Sequence, residues 1–262
     1  MPRFSANLGF LWPDRPLLER IAAAASAGFK AVELHWPYDV PAEQVREACG
    51  RHGVELLGIN TPVGDAAKGE FGLGAVPGRQ EDFAQGFRQA LEYARRSGAS
   101  SIHVMAGVVE PPDRRRAMQV FAENLTMAAA EAPDLTLLLE PINPRDKPGY
   151  FYSTIADAAA LIESVGADNV RLMFDVYHVG VGEGDIIKRL ERYLPITGHV
   201  QIAAVPSRAE PDEGEIAYDR VIAALDGLGY SGLVGLEYKP RGDTDAGLAW
   251  IEAFGLSLKR GA

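Results

Sequence analysis

The chain alternates between short apolar runs and longer stretches in which apolar residues recur every three or four positions. The longer stretches predict amphipathic helices, of which 16–27 and 80–97 have the clearest apolar faces. The short runs predict eight β-strands, at residues 3–7, 31–35, 54–59, 101–105, 135–140, 170–174, 197–202 and 233–237.

Eight strands alternating with helices over 262 residues give about 33 residues per unit, the size of one βα repeat. Such an alternation predicts a parallel sheet, and eight units predict its closure into a barrel. A doubly wound open sheet is the alternative, but no G-x-G-x-x-G turn follows the first strand. We therefore predict an α/β protein with a single (β/α)8 TIM barrel, and one domain over residues 1–262.

The longest non-helical connection follows the third strand, at residues 60–78, and contains five glycines. Loops of this length inside a compact domain usually border a binding site. We expect that role here, with a flexible surface excursion as the alternative.

Composition narrows the class of protein. Apolar residues make up 47% and charged residues 24% of the chain, which is typical of a globular protein. The first apolar stretch is broken at Pro13 and Asp14, so no signal peptide is expected, and no run is long enough to span a membrane. The net charge of −10 disfavours nucleic acid as a partner.

Cys49 is the single cysteine and cannot form an internal disulfide. We predict a cytoplasmic protein, compatible with a homo-oligomer, without a membrane or nucleic-acid partner.

Oxygen-bearing side chains end the last four predicted strands. These are Glu140, Asp175, Gln201 and Glu237, on strands five to eight in that order. The carboxyl ends of barrel strands open on one face, so we expect the four to converge there. Three neighbouring carboxylates repel one another unless a cation lies between them, and an all-oxygen set favours Mg²⁺ or Mn²⁺. Capping of the following helix is the alternative role for each acid.

Basic residues near the same face are candidates for binding a substrate carboxylate. Arg208 follows strand seven and could form a bidentate fork with an acid, or could pair on the surface with Glu210 or Asp212. Lys239 and Arg241, after strand eight, could bind the substrate carboxylate in the same way, with a solvated basic pair as the alternative.

Three histidines lie on predicted strands. His199 is two residues before Gln201, so strand alternation places it on the same face and one layer deeper, where it would support Gln201 rather than reach the cation. His103 is expected in the core, with a position lining the site as the alternative. His35 is expected to pack normally, with an aromatic wall formed together with Trp36 as the alternative.

Several segments together resemble the hydroxypyruvate isomerase family, which belongs to the xylose-isomerase-like barrels. They are LEPINPRDKPGYFYSTIADA, FDVYH, GHVQIA, EPDEGEIAYDRV and GLEYKPRG. The segments RFSANLGFLW and HVMAG extend the resemblance over nearly the whole chain.

The resemblance implies roles for five residues. Glu140, in the L-E-P-[IV]-N motif, and Glu237, in E-Y-[KR]-P, correspond to metal ligands that also act as the paired proton donor and acceptor. Asp175 and Gln201 correspond to the other ligands, and His178 to a residue that contacts substrate hydroxyls. The implied reaction moves a carbonyl between adjacent carbons of a small hydroxy-oxo acid through an enediolate, without an organic cofactor.

The chain departs from the family pattern after strand seven. It has QIAAVPSRAEP, with Ala204 and Ala209 where hydroxypyruvate isomerases tend to have Asp and His. This sequence is similar to that of relatives assigned to 2-oxo-tetronate isomerisation. The substrate could therefore be a three-carbon or a four-carbon acid.

Three other functions are alternatives. A sugar epimerase of the same superfamily would use the same site. A phosphodiesterase of the AP-endonuclease type needs several histidine ligands and a basic face, which five histidines and a charge of −10 disfavour. A non-enzymatic binding protein would not need four convergent ligands.

Overall fold

The computed structural model describes residues 3–258, and its eight strands form a closed barrel in sequence order. All neighbouring strands are parallel, and Arg3 pairs with Leu233 where the last strand meets the first. The strands are β1 Arg3–Asn7, β2 Ala31–Glu33, β3 Glu55–Asn60, β4 Ser101–His103, β5 Thr136–Leu139, β6 Val170–Asp175, β7 Thr197–Ile202 and β8 Leu233–Leu236. The predicted TIM barrel is confirmed, while the assignment of 1–262 to one domain stays a prediction.

Helices surround the barrel. The prediction of a helix over 80–97 matches α3, and the first helix begins one residue later than predicted. The helices are α1 Leu17–Ala27, α2 Ala42–His52, α3 Gln80–Ser97, α4 Arg114–Glu131, α5 Ile155–Val165, α6 Val176–Gly182, α7 Ile186–Tyr193, α8 Tyr218–Gly227, α9 Thr244–Gly247 and α10 Ala249–Ala253. Within residues 3–258, none is long and apolar enough to cross a membrane.

Several strands are shorter than the apolar runs predicted. β5 ends at Leu139 and β8 at Leu236, so Glu140 and Glu237 are the first residues after their strands rather than the last within them. Both side chains are nevertheless buried. The carboxylates therefore lie at the rim, where the ladder ends and the βα loops begin.

The long connection after β3 is tied to the loop after β4. It contains a 3₁₀ turn at Ala66–Lys68. Backbone hydrogen bonds run from Gly74 to Met105 (3.0 Å) and from Ala75 to Ala106 (2.7 Å). The connection is thus a packed part of the barrel's C-terminal face.

The barrel interior is unusually polar. TIM barrels are generally filled with branched aliphatic side chains. Here the buried polar set on the strands includes Ser5, Glu33, Ser101, His103, His199 and Gln201. The apolar core lies instead between strands and helices, where Phe87 of α3 and Phe121 of α4 are fully buried. Polar side chains inside the barrel can therefore hold functional groups in place, in addition to the loops at the C-terminal face.

Candidate active site

The predicted ligand residues meet at the C-terminal end of the barrel. A carboxylate oxygen of Glu140, a carboxylate oxygen of Asp175 and a ring nitrogen of His178, the expected substrate-binding residue, lie within 4.8 Å of one another. Strand pairing aligns Asp175 with Gln201 on the neighbouring strand. Glu140, Gln201 and Glu237 line one cavity of about 280 Å³. The convergence expected from the strand ends is therefore present.

Asp175 caps a helix, which is the alternative role that the sequence left open, and keeps its second carboxylate oxygen free. Its Oδ1 accepts a hydrogen bond from the Tyr177 N–H (2.8 Å) and so caps α6. Its Oδ2 is buried and has no hydrogen-bond partner within residues 3–258. Burial, reinforced by the charge of Glu237, raises the pKa of Asp175 to about 7. Oδ1 of Asp175 therefore caps the helix, while Oδ2 is free to bind a ligand such as a cation.

Glu140 has few partners. Its Oε1 is buried and unpartnered in the described part of the chain, and its Oε2 lies 3.6 Å from Nδ1 of His103. Burial, together with the charges of Glu237 and Asp175, raises the pKa of Glu140 well above its ordinary value. His103 lines the same cavity, so it belongs to the site rather than to an apolar core.

Glu237 is surrounded by donors. Its Oε1 accepts a hydrogen bond from Nδ2 of Asn7 (3.2 Å) and lies 2.9 Å from Nε2 of His35, and Nη2 of Arg208 donates to its Oε2 (3.0 Å). Burial alone would raise the pKa of Glu237, but the hydrogen bond with His35 and the charge of Arg208 outweigh it and lower the pKa far below its ordinary value. The expectation that His35 merely packs was wrong.

His178 has a fixed tautomer. Asn143 directs its backbone N–H (3.3 Å) and its Nδ2 (2.6 Å) at Nδ1 of His178, and Oδ1 of Asn143 accepts from the Asp146 N–H, which sets the amide's orientation. Because Nδ1 accepts, Nε2 carries the proton and has no lone pair for a cation. That Nε2 lies 3.6 Å from both Glu140 and Asp175. Burial lowers the pKa of His178 to about 3, so the ring is a neutral donor at this point of the site.

Arg208 lies inside the site rather than on the surface. Its guanidinium reaches Glu237 and also donates from Nη1 to Oδ2 of Asp146 (3.1 Å). It is flanked by the rings of Phe10 and Tyr177, with centroids 5.0 and 4.9 Å away. Its backbone is left-handed (φ 56°), which turns the side chain from the loop toward the carboxylates.

The surface pairing considered for Arg208 belongs to Arg241 instead. The Arg241 guanidinium donates to Glu210, Asp212 and Glu213 at 2.7–3.0 Å. Acids occupy Nε, Nη1 and Nη2 of Arg241, whereas Nε of Arg208 is buried and has no hydrogen-bond partner within residues 3–258. Arg208 is therefore the better candidate for a carboxylate receptor. Nζ of Lys239 lies 5.8 Å from the ring centroid of Phe10, the same ring that flanks Arg208.

His199 lies beneath Gln201, as the strand alternation predicts. Its Nε2 is 3.1 Å from Oε1 of Glu33, and Nε2 of Gln201 donates to the other oxygen, Oε2, of the same carboxylate. Burial alone would lower the pKa of His199, but the charge of Glu33 raises it above its ordinary value. His199 therefore contacts the support of Gln201 rather than the carboxylates at the rim.

Three polar residues of the site were missed in the sequence: Asn7, Glu33 and Asn143. Asn7 and Glu33 are the last residues of β1 and β2, so the strand-end argument would have found them had it been applied to the early strands as well. Asn143 lies in the loop after β5, and no periodicity indicates its contact with His178.

The donor set fits a divalent cation. Glu140 Oε1, Asp175 Oδ2 and Gln201 Oε1 are all buried, and none has a hydrogen-bond partner within residues 3–258. Unpartnered buried oxygens are costly unless another group satisfies them. Hard oxygen ligands of this kind suit Mg²⁺ or Mn²⁺.

Comparison with known proteins agrees with this geometry. Residues 21–254 match the xylose isomerase-like TIM barrel family. The chain is 45% identical to a 2-oxo-tetronate isomerase of Cupriavidus necator, covering 97% of this chain and 99% of that one, and 38% identical to a hydroxypyruvate isomerase of Escherichia coli, covering 97% and 100%. A crystal structure titled AP endonuclease, family 2, from Brucella melitensis is 41% identical with a TM-score of 0.94, covering 97% and 99%.

Proposed function

The chain belongs to the xylose isomerase-like TIM barrel family and is an isomerase, and from that premise we propose that it moves a carbonyl between adjacent carbons of a small hydroxy-oxo acid. One observation carries the proposal. Three buried oxygens, on Glu140, Asp175 and Gln201, have no partner in the described part of the chain, and they lie beside a second glutamate, Glu237. This arrangement supports a cation site flanked by two carboxylates.

The proposed ligands of the cation are Glu140, Asp175, Gln201 and Glu237. When bound, Mg²⁺ or Mn²⁺ supplies Lewis-acid stabilisation of the negative charge that develops on substrate oxygens. Oε1 of Glu237 is already contacted by Asn7 and His35, and Oε2 accepts from Arg208. Because each carboxylate oxygen has two lone pairs, Oε2 keeps the capacity for one further partner.

Glu140 and Glu237 are the proposed proton-transfer pair. One carboxylate removes the proton from the hydroxyl-bearing carbon, which gives an enediolate, and the other delivers a proton to the neighbouring carbon. The hydroxyl proton also passes from its oxygen to the former carbonyl oxygen, so the carbonyl and the hydroxyl exchange positions with no net oxidation of the substrate.

His178 and Arg208 are proposed to bind the substrate. The Nε2–H of His178 is a donor at the edge of the carboxylate group and suits a substrate oxygen. The Arg208 guanidinium suits the substrate carboxylate through two parallel hydrogen bonds. A guanidinium fork suits a carboxylate better than the hydroxyl groups of a neutral sugar, so Arg208 favours an acid over the epimerase substrates.

The loop that carries Arg208 bears on the length of the acid. It closes through hydrogen bonds from the Ala204 N–H to Ala209 O (2.9 Å) and from the Arg208 N–H to Ala204 O (2.8 Å). Both alanines are buried and small where hydroxypyruvate isomerases tend to have Asp and His. At these two positions the chain resembles relatives assigned to 2-oxo-tetronate isomerisation, which favours a four-carbon acid over the three-carbon hydroxypyruvate.

The test is to supply hydroxypyruvate and the 2- and 3-oxo four-carbon sugar acids separately, with Mg²⁺ or Mn²⁺, and to follow carbonyl migration by NMR. We expect migration, with a higher kcat/KM on a four-carbon acid. A ketohexose and an abasic-site DNA duplex serve as comparison substrates. Epimerisation of the ketose, or cleavage of the DNA without migration in any acid, would replace the proposal by one of the alternatives.

A further inference from the structure

Glu33, at the end of β2, contacts Gln201 from inside the barrel. Nε2 of Gln201 donates to Oε2 of Glu33 at 2.9 Å. Both side chains are buried, with 5% and 2% of their surface exposed. The contact crosses the barrel interior, because β2 and β7 are not neighbours in the sheet.

A carboxylate can only accept hydrogen bonds, so it imposes one orientation on the amide. With Nε2 of Gln201 turned to Glu33, Oε1 is directed away from Glu33 and has no partner in the described residues. The flipped amide would bring Oε1 against the carboxylate, oxygen to oxygen, and would lose the hydrogen bond. The orientation that leaves Oε1 unpartnered is therefore the one that Glu33 selects.

Glu33 is itself held from two sides. The Ser5 hydroxyl donates to Oε1 of Glu33 at 2.5 Å, and Nε2 of His199 lies 3.1 Å from the same oxygen. Oε1 of Glu33 therefore contacts Ser5 and His199, while Oε2 accepts the hydrogen bond from Gln201. This arrangement leaves the carboxylate little freedom to turn.

Gly235 of β8 provides the space for this cluster. A Cβ at Gly235 would lie 2.5 Å from Oε1 of Glu33, 2.9 Å from Cγ of Gln201 and 2.9 Å from Nε2 of His199. Any side chain there would displace at least one of the three. The absence of a side chain at this position is thus what allows the three groups to meet.

We propose that Glu33 is a positioning residue that fixes the Gln201 amide with its oxygen presented to the cation. The inference rests on the proposed function, because it requires Gln201 to be a cation ligand. Glu33 contacts neither the cation nor the substrate in this scheme. Partners of metal ligands in this position typically contribute about 10- to 100-fold in metal affinity.

Two substitutions separate contact from charge. Glu33→Asp keeps the negative charge but is one methylene too short to reach Gln201, and Glu33→Gln keeps the shape but no longer dictates the amide's orientation. The readout is the Kd of metal-free protein for Mn²⁺, measured calorimetrically at one pH, with the melting temperature as a check on folding. We expect both variants to bind Mn²⁺ about 10- to 100-fold more weakly.

The Gln201→Glu background provides the decisive comparison. A carboxylate ligand has no amide to orient, and the amide that Glu33→Gln introduces can donate to it. We therefore expect Glu33→Gln to cause no further loss of Mn²⁺ affinity in that background. Glu210→Gln is the matched control, since Glu210 is an equally buried carboxylate whose partner is Arg241. It should leave the Kd unchanged.

The outcomes are distinguishable. Wild-type affinity for Mn²⁺ in Glu33→Asp, or an equal loss for Glu33→Gln in both backgrounds, would overturn the positioning role while leaving the cation site intact. If the wild-type chain bound no Mn²⁺, or if Gln201→Ala bound it normally, the proposed ligand set would fail first. Should either Glu33 variant not fold, Ser5→Ala tests the same contact more mildly, and an unchanged Kd there would count against the proposal.

Discussion

The Arg208 guanidinium lies 3.0 Å from Oε2 of Glu237, so the proposed carboxylate receptor and one of the proposed proton-transfer groups are in direct contact. The same side chain also donates to Asp146. A substrate acid that takes hydrogen bonds from Arg208 must therefore draw them from protein carboxylates. Substrate binding and the electrostatic environment of Glu237 are therefore coupled through the guanidinium of Arg208.

Arg208→Lys tests the receptor role. The variant keeps the charge but loses the planar fork and its stacking on Phe10 and Tyr177. We expect KM for hydroxypyruvate to rise by about 10- to 100-fold, the equivalent of one charge-assisted hydrogen bond. The neutral analogue dihydroxyacetone should show a much smaller change. Arg241→Lys, on an arginine held by its own acidic cluster, is the control, and equal effects on acid and neutral substrates would contradict the role.

Substitution of either glutamate tests the proton-transfer pair. Glu140→Gln and Glu237→Gln keep an oxygen for the cation but remove the group that carries the proton. Each should lower kcat by about 10²- to 10⁴-fold. The double variant should be little worse than either single one, because the reaction already stops when one group is missing. Near-normal turnover in either variant, with its metal content verified, would remove that residue from the proton transfer.

Solvent exchange adds a second measure of the same pair. In D₂O the product should gain deuterium at the carbon that receives the proton, and NMR detects it. Complete absence of deuterium in the product at every pH would indicate instead a direct hydride shift, with the carboxylates serving as ligands.

Removal of the cation should expose the repulsion within the site. Glu140, Asp175 and Glu237 are buried together. Among the described residues, Arg208 is the only permanently positive side chain close to all three. We expect chelation to abolish activity and to lower the melting temperature, and Mg²⁺ or Mn²⁺ to restore both. Calorimetric scans with and without chelator measure this, and full activity in exhaustively chelated protein would contradict the cation site.

His178→Gln distinguishes a hydrogen-bond donor from a cation ligand. The fixed Nε2–H tautomer predicts that kcat falls by about 10-fold or more, while the Kd for Mn²⁺ stays within the error of the measurement. His52→Gln, at the exposed end of α2, is the matched control. A loss of Mn²⁺ affinity in the His178 variant would instead place the ring among the ligands.

Cys49 should be unreactive in the folded protein. It is buried in α2, and burial raises the pKa of its thiol to about 11. At pH 8 the folded chain therefore holds the unreactive protonated form, whereas the unfolded chain has an ordinary thiol pKa of about 8.5. Ellman's reagent should detect one thiol in urea and essentially none in buffer. Rapid labelling of the folded protein would show that α2 opens readily.

The sequence alone determined the barrel and most of its rim. The alternation of strand and helix predicts eight βα units, and a closed parallel barrel must bring the ends of its strands to one face. Glu140, Asp175, Gln201 and Glu237 could be named for that reason, since each stands at or beside a strand end. These features follow from hydrophobic periodicity, which is a local property of the sequence, and from the general rule that parallel barrel strands end on one face.

Only the tertiary structure decided how those groups are held. The contacts of Glu33 with Gln201, of His35 with Glu237 and of Asn143 with His178 join residues 35 to 202 positions apart in the chain. No periodicity relates such residues, because their distances depend on the closure and stagger of the barrel and on the path of each loop. The rotation of Arg208 into the site likewise depends on one left-handed backbone residue that its own sequence does not favour.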